Sequence, residues 1–88
     1  MYYVYVLRYT VNNKGKFYIG YCDSIKNRLK RHKSGDIKTT AKCDKIELVY
    51  YEACLNKTDA IKRENQLKTG FGRGYIKKRL KSYLEKRE

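Results

Sequence analysis

Apolar positions crowd the first residues of the chain. Residues 2–9, Tyr-Tyr-Val-Tyr-Val-Leu-Arg-Tyr, are β-branched and aromatic and predict a strand. Asn12, Asn13, Lys14 and Gly15 form a turn cluster, and residues 16–21 read as a second short strand. A hairpin with a somewhat long loop follows from that pattern. Asp23 or Ser24 can cap a helix starting at Ile25, with Leu29 as its second apolar mark and Gly35 as its stop. Residues 34–45 are polar and aperiodic, which predicts a loop. Residues 46–54, IELVYYEAC, predict a third strand. Asn56 or Thr58 can cap a second helix that carries Ala60, Ile61 and Leu67 and ends near Gly70. Gly70, Gly72 and Gly74 suggest a flexible junction, after which Ile76, Leu80, Tyr83 and Leu84 form the stripe of a final helix. The expected architecture is α+β, in the order ββαβαα. A small three-stranded antiparallel sheet is flanked by helices, in one domain over residues 1–88. The sequence has no internal repeat, no low-complexity segment and no proline.

Two helices carry charge where the pattern calls for apolar residues. On the first, positions 25, 28, 29 and 32 share a face, so Arg28 and His32 lie on the stripe marked by Ile25 and Leu29. On the second, Glu64 lies on the stripe of Ala60, Ile61 and Leu67. A buried arginine or carboxylate needs a partner of opposite charge. One account is a structural Arg28–Glu64 ion pair; the other is a cleft holding an arginine, a histidine and a carboxylate. Tyrosine adds to the second account. Of ten tyrosines, Tyr5 and Tyr18 fall on the two hairpin strands, where they can be near neighbours. A phenol beside an arginine can act as acid, base or hydrogen-bond donor to a phosphate. Gly20 either lets substrate or the neighbouring helix approach the strand closely or eases a turn before Asp23.

Charge narrows the choice of partner. Twenty-two lysines and arginines face nine acidic residues, a formal net charge of +13, which points to a polyanion. From residue 68 to 88 there are eight basic residues against two acidic ones. Lys77, Lys78 and Lys81 lie away from the apolar stripe of the last helix and can track a phosphate backbone without reading bases. A solvated helix face is the plainer account of the same row. The apolar start has no basic region before it and no small-residue cleavage site after it, so a cytoplasmic protein without a membrane partner is expected. Cys22, Cys43 and Cys54 are odd in number and widely spaced, and His32 is the one histidine; they read as free thiols rather than a zinc site.

In this order the same residues resemble the signature of the GIY-YIG nuclease superfamily. Its first motif stands here as Tyr3-Val4-Tyr5, with Tyr3 in place of the usual glycine, and its second is intact as Tyr18-Ile19-Gly20. Arg28 takes the place of the family's catalytic arginine, His32 follows one helical turn later, and Glu64, in Lys62-Arg63-Glu64-Asn65, matches the metal-binding glutamate. The stretch from Leu67 to Gly74 is similar to that of the small stand-alone bacterial members, and the whole to the N-terminal nuclease domain of the excision-repair incision subunit. There are two departures. Those subunits carry a lysine just after the second motif, where Tyr21 stands here. Several larger members place an asparagine near the position of Ile76.

The resemblance implies a metal-dependent endonuclease that hydrolyses DNA phosphodiester bonds, leaving a 5′-phosphate and a 3′-hydroxyl, in DNA repair or recombination. Glu64 would hold Mg²⁺ or another divalent cation, and Arg28 the non-bridging phosphate oxygens. Tyr18, with Tyr5 sharing the site, is the first choice to orient or deprotonate the attacking water, and His32 could be the base or a proton shuttle instead. Gly20 would support the site, and Lys68, Arg73, Lys77, Lys78 and Lys81 would bind the nucleic acid. Its partner would be DNA, branched or damaged DNA included, ahead of RNA. The rival accounts are a non-catalytic DNA- or RNA-binding domain that retains the nuclease fold and a small basic ribosome-associated protein.

Overall fold

Asn12 and Asn13 both take left-handed backbone, with φ of 53° and 66°. Two successive positive φ values make a two-residue turn whose twist matches that of paired strands. The hairpin is therefore tighter than the turn cluster suggested. β1 (Tyr2–Val11) and β2 (Lys14–Cys22) pair antiparallel from Val11↔Lys14 to Tyr3↔Cys22, and Gly15 lies inside β2, opposite Thr10. This is a computed structural model, and it describes residues 1–86; Arg87 and Glu88, the end of the expected domain and of its basic tail, lie outside the described residues.

β3 (Lys45–Cys54) pairs antiparallel with the other side of β1, so the sheet order is β2-β1-β3. The pairing skips one residue of β3 between Val6↔Tyr50 and Leu7↔Leu48, a bulge in the edge strand. Between the hairpin and β3 come α1 (Ile25–Lys33) and a short 3₁₀ turn (Lys38–Thr40) within the predicted loop. Ser24 caps α1 by accepting from the Asn27 amide, and Asn56 caps α2 (Lys57–Leu67) by accepting from the Thr58 amide.

As the central strand, β1 is buried on both faces. Tyr5 and Leu7 pack with Cys22 on one face, against Ile25 and Leu29 of α1. Val4 and Val6 pack on the other, against Ala60 and Leu67 of α2 and, beyond it, Ile76 and Leu80. Two-sided burial explains why the run reads as continuous apolar sequence rather than as alternation.

The glycine stretch departs from expectation. It is not a flexible junction: α3 (Gly70–Arg79) begins at Gly70, with Thr69 capping it through the Gly72 amide. The final helix also divides, with α4 (Lys81–Lys86) following α3 after Leu80. The physical reason for the start of α3 sits at Gly72. A Cβ there would lie 2.1 Å from the Leu67 carbonyl oxygen, so α3 can start against the end of α2 only without a side chain at this point.

This contact predicts opposite effects from two like substitutions. Gly→Ala within a helix ordinarily gains up to about 1 kcal/mol. Gly74→Ala meets nothing within 4 Å and should show that gain in thermal melting. Gly72→Ala should instead lose roughly 1–3 kcal/mol, because the clash is with backbone. Equal melting temperatures for the two variants would refute the close-approach account.

Candidate active site

The hairpin register sets Tyr5 opposite Gly20 and Tyr18 opposite Leu7, so the two tyrosines are diagonal neighbours on the α1 face. Their rings stack with centroids 6.0 Å apart. Gly20 makes that possible. A Cβ on it would lie 2.7 Å from the Tyr5 hydroxyl oxygen and 3.1 Å from Tyr18 Cε1. Its missing side chain leaves room for the Tyr5 phenol within the sheet.

His32, one turn beyond Arg28 on α1, meets both tyrosines edge-on, with centroids 5.7 Å from Tyr5 and 4.7 Å from Tyr18. It is 2% exposed, and both of its ring nitrogens are engaged: Nε2 lies 2.9 Å from the Tyr5 hydroxyl and Nδ1 lies 2.7 Å from Thr40 Oγ1. Burial, reinforced by the positive charges of Arg28 and Arg31, lowers its pKa to about 4, so the ring is neutral at pH 7. A neutral imidazole donates from one nitrogen and accepts at the other. Thr40 Oγ1 lies 3.5 Å from the Ile37 carbonyl, to which its hydroxyl can donate. The consistent assignment is that Tyr5 donates to Nε2, Nδ1–H donates to Thr40, and Thr40 donates to Ile37.

Arg28 enters from the same helix. Its Nη1 donates to the Tyr21 carbonyl at 3.2 Å, and the guanidinium also interacts with the Tyr5 hydroxyl. Burial pushes the Tyr5 phenol well above its ordinary value, more strongly than Arg28 pulls it down, so Tyr5 stays protonated at neutral pH. Burial opposes the charge on Arg28, but Tyr5, Cys22 and Tyr18 together outweigh it and the guanidinium stays ionised. Tyr18 differs from Tyr5. It is half-buried, its hydroxyl bonds to no described protein group, and no buried side-chain polar atom lacks a partner, so that hydroxyl opens to solvent. The field of Arg28 reaches it.

Glu64 comes from α2, on the opposite side of the sheet from α1. Its side chain is 13% exposed, and its Oε2 is 3.0 Å from Lys68 Nζ. Among the described residues no bond joins it to Arg28, so the structural ion pair between those two is not made. Lys68 connects Glu64 to a cleft of about 570 Å³ along the outer edge of β2. Tyr18 lines that cleft with five cations: Arg8, Lys16, Lys68, Arg73 and Lys77. Phe17, Ile19 and Ile76 form its apolar floor. Lys78 and Lys81 are exposed and do not line it. Among the described residues no three His, Cys, Asp or Glu side chains gather as a metal cage. Glu64 alone supplies a carboxylate oxygen, a donor that suits a hard divalent ion whose shell is completed by water and substrate oxygens. The three cysteines are free thiols, as expected.

Thr40 is the participant that sequence reading missed. It lies in a polar loop and gives no periodic signal; its one clue was that a buried histidine must satisfy two nitrogens.

The layout is that of a small α+β domain with its polar cluster built on a β-hairpin and the following helix. A model of the GIY-YIG catalytic domain matches residues 1–79, and the chain belongs to the GIY-YIG family. It is thus a nuclease domain of the endonuclease kind, acting on nucleic acid. The chain is 38% identical over 58 residues to the UPF0213 protein SERP0126 of Staphylococcus epidermidis, covering 65% of this chain and 71% of that protein. It is 35% identical over 68 residues to the UPF0213 protein SSP2268 of Staphylococcus saprophyticus, covering 76% of this chain and 79% of that protein. No solved structure matches it significantly. No helix among the described residues is long and apolar enough to cross a membrane.

The histidine makes stability depend on pH. Its folded pKa of about 4 lies below the ordinary 6.5, so between these values the unfolded chain binds the extra proton. Stability from this group is complete above about pH 6.5 and is lost as pH falls toward 4, with a total of order 3 kcal/mol. Denaturant titrations from pH 7.5 to 4 should show that slope, and His32→Gln should flatten it. Thr40→Val, which strands the Nδ1 donor, should cost roughly 1–3 kcal/mol at pH 7. An unchanged slope in His32→Gln would contradict the buried neutral ring.

Proposed function

We propose that the protein is a metal-dependent endonuclease that hydrolyses DNA phosphodiester bonds, in repair or recombination, at the mouth of the β2 cleft. The observation that carries this reading is the pairing of a buried, fully satisfied Tyr5–His32–Thr40 chain with an open Tyr18 hydroxyl, on a strand that also borders a cationic cleft. The buried chain is built to hold a geometry, and the open hydroxyl is placed to meet a substrate.

Backbone phosphates lie along Lys16, Lys68, Arg73 and Lys77, with Lys78 and Lys81 as an outer row. Arg28 contacts the non-bridging oxygens of the scissile phosphate, where its fixed charge meets charge that develops at phosphorus. Tyr18 orients the attacking water and takes its proton. Tyr5 and His32 act behind these two: Tyr5 holds Arg28, and His32 fixes Tyr5. Neither His32 nor Tyr5 serves as the base in this scheme, since one is buried with both nitrogens occupied and the other holds its proton. Glu64 would hold Mg²⁺ or another divalent cation, which would supply positive charge to the leaving oxygen.

Incubation with supercoiled, branched and single-stranded DNA, with and without Mg²⁺, tests the reading. Metal-dependent cleavage should appear, fall at least about a hundredfold in Tyr18→Phe and Arg28→Ala, and vanish in Glu64→Gln. All three should retain DNA binding. Binding without cleavage of any of these DNAs would leave a non-catalytic nucleic-acid-binding domain.

The cleft also fixes a salt dependence. Arg73→Gln and Lys77→Gln should each reduce the slope of log affinity against log salt by about 0.9 on duplex DNA. Lys78→Gln and Lys81→Gln should reduce it less. Equal effects at all four positions would show a diffuse cationic surface rather than a cleft.

A further inference from the structure

Lys68 belongs to two sites at once. Its ammonium is 3.0 Å from Glu64 Oε2, and its side chain lines the cleft beside Tyr18. The lysine side chain is 52% exposed while that of the glutamate is 13% exposed. The mobile partner is therefore the cation. A lysine ammonium on its four-carbon stem can swing between acceptors, which a fixed guanidinium fork does less readily. A pair of this kind, four residues apart at a helix end with its lysine open to water, contributes about 1 kcal/mol and is easily exchanged.

The surrounding charge gives the exchange a direction. The other charged residues lining the cleft, Arg8, Lys16, Arg73 and Lys77, are all positive. With the cleft free of substrate, a divalent ion approaching Glu64 meets this field and an ammonium already on the carboxylate. A phosphate backbone in the cleft reverses the local field and offers Lys68 a second acceptor.

We propose that Lys68 is a latch on Glu64. It occupies the carboxylate in the free protein and moves to a substrate phosphate when nucleic acid binds, which frees Glu64 for a divalent cation. This makes Lys68 a positioning residue that couples metal binding to substrate binding, and it rests on the reading of Glu64 as the metal ligand. The coupling is reciprocal: if DNA raises metal affinity, the metal raises DNA affinity by the same factor.

The test measures binding rather than turnover. Mn²⁺ affinity is read by the loss of the free-ion paramagnetic resonance signal, in full-length Arg28→Ala protein so that a DNA duplex survives. Lys68→Gln should bind Mn²⁺ at least about fivefold more tightly without DNA, the effect of removing one unit charge at close range in water. The factor by which DNA raises Mn²⁺ affinity should shrink by a similar amount, and Lys68→Arg, which keeps the charge, should stay near the parent protein. Unchanged Mn²⁺ affinity in Lys68→Gln, with Glu64→Gln abolishing binding, would overturn the latch and leave Glu64 as the ligand. Mn²⁺ binding that is the same in Glu64→Gln as in the parent would overturn the ligand reading itself, and the latch with it. Thermal melting of each variant distinguishes these results from loss of fold.

Discussion

A hydroxyl is buried in the middle of the sheet, and much of the architecture answers to it. Tyr5 lies on the central strand, 2% exposed, with α1 packed over it. An unsatisfied hydroxyl there would cost several kcal/mol. The fold meets the demand with a chain of hydrogen bonds that runs from Tyr5 through His32 to Thr40 and the Ile37 carbonyl, with the Arg28 guanidinium interacting with the phenol. Each link sets the position of an element. His32 fixes the rotation of α1 against the hairpin, and Thr40 fixes the 3₁₀ turn that leads into β3. Gly20, without a side chain, leaves space for the phenol. Arg28 is held by the Tyr21 carbonyl and Tyr5 rather than by an acid, so its charge is not neutralised within the protein. A half-buried guanidinium without a carboxylate partner keeps its charge available to an incoming anion.

The opposite face handles its charges differently. Glu52 of β3 receives both Nε and Nη2 of Arg63, at 2.8 and 2.9 Å, and the Tyr50 hydroxyl at 2.7 Å. Arg63 also lies over the Tyr75 ring, and Tyr50 and Tyr75 share a hydrogen bond. The bond from Arg63 holds the Glu52 carboxyl below its ordinary pKa, so the network is charged and closed at neutral pH. It fastens β3, α2 and α3 together and thereby sets the inclination of the helices that carry Lys68, Arg73 and Lys77 to the edge of β2. The neighbours Arg63 and Glu64 thus serve different ends: one closes an internal pair, the other stays weakly held at a cleft.

What the sequence disclosed follows from the range of the forces involved. The strands and first two helices were legible because burial leaves a periodic mark, and caps such as Ser24 and Asn56 are local. Arg28, His32 and Glu64 stood out as polar residues on apolar stripes, and Tyr5 and Tyr18 through their place on the hairpin. Illegible were features decided by contacts distant in sequence or by exact backbone approach. Thr40 is eight residues from His32 across a loop without pattern. The three glycines after α2 looked like flexibility, whereas Gly72 is there because two helices nearly touch. The Glu52–Arg63 pair was hidden because it spans a strand and a helix. The preference of Glu64 for Lys68 over Arg28 could not be read from a stripe, since a stripe gives a face and not a partner.

The two departures from the larger relatives have a common physical basis. Tyr21, where the incision subunits carry a lysine, packs with Phe17 and Ile19 toward the helices α2 to α4. Its contribution to the site is its backbone carbonyl, which holds Arg28. Ile76, near the place of the asparagine in several larger members, is 1% exposed in the same core. Both positions have been given to packing, as a chain of 88 residues with a small core requires. The cations of the cleft rim, Lys16, Lys68, Arg73 and Lys77, stand instead on the surface without disturbing the interior. A small domain of this kind holds its buried polar groups in one chain of hydrogen bonds and carries its excess cations outward, where charge can be added at little cost to the fold.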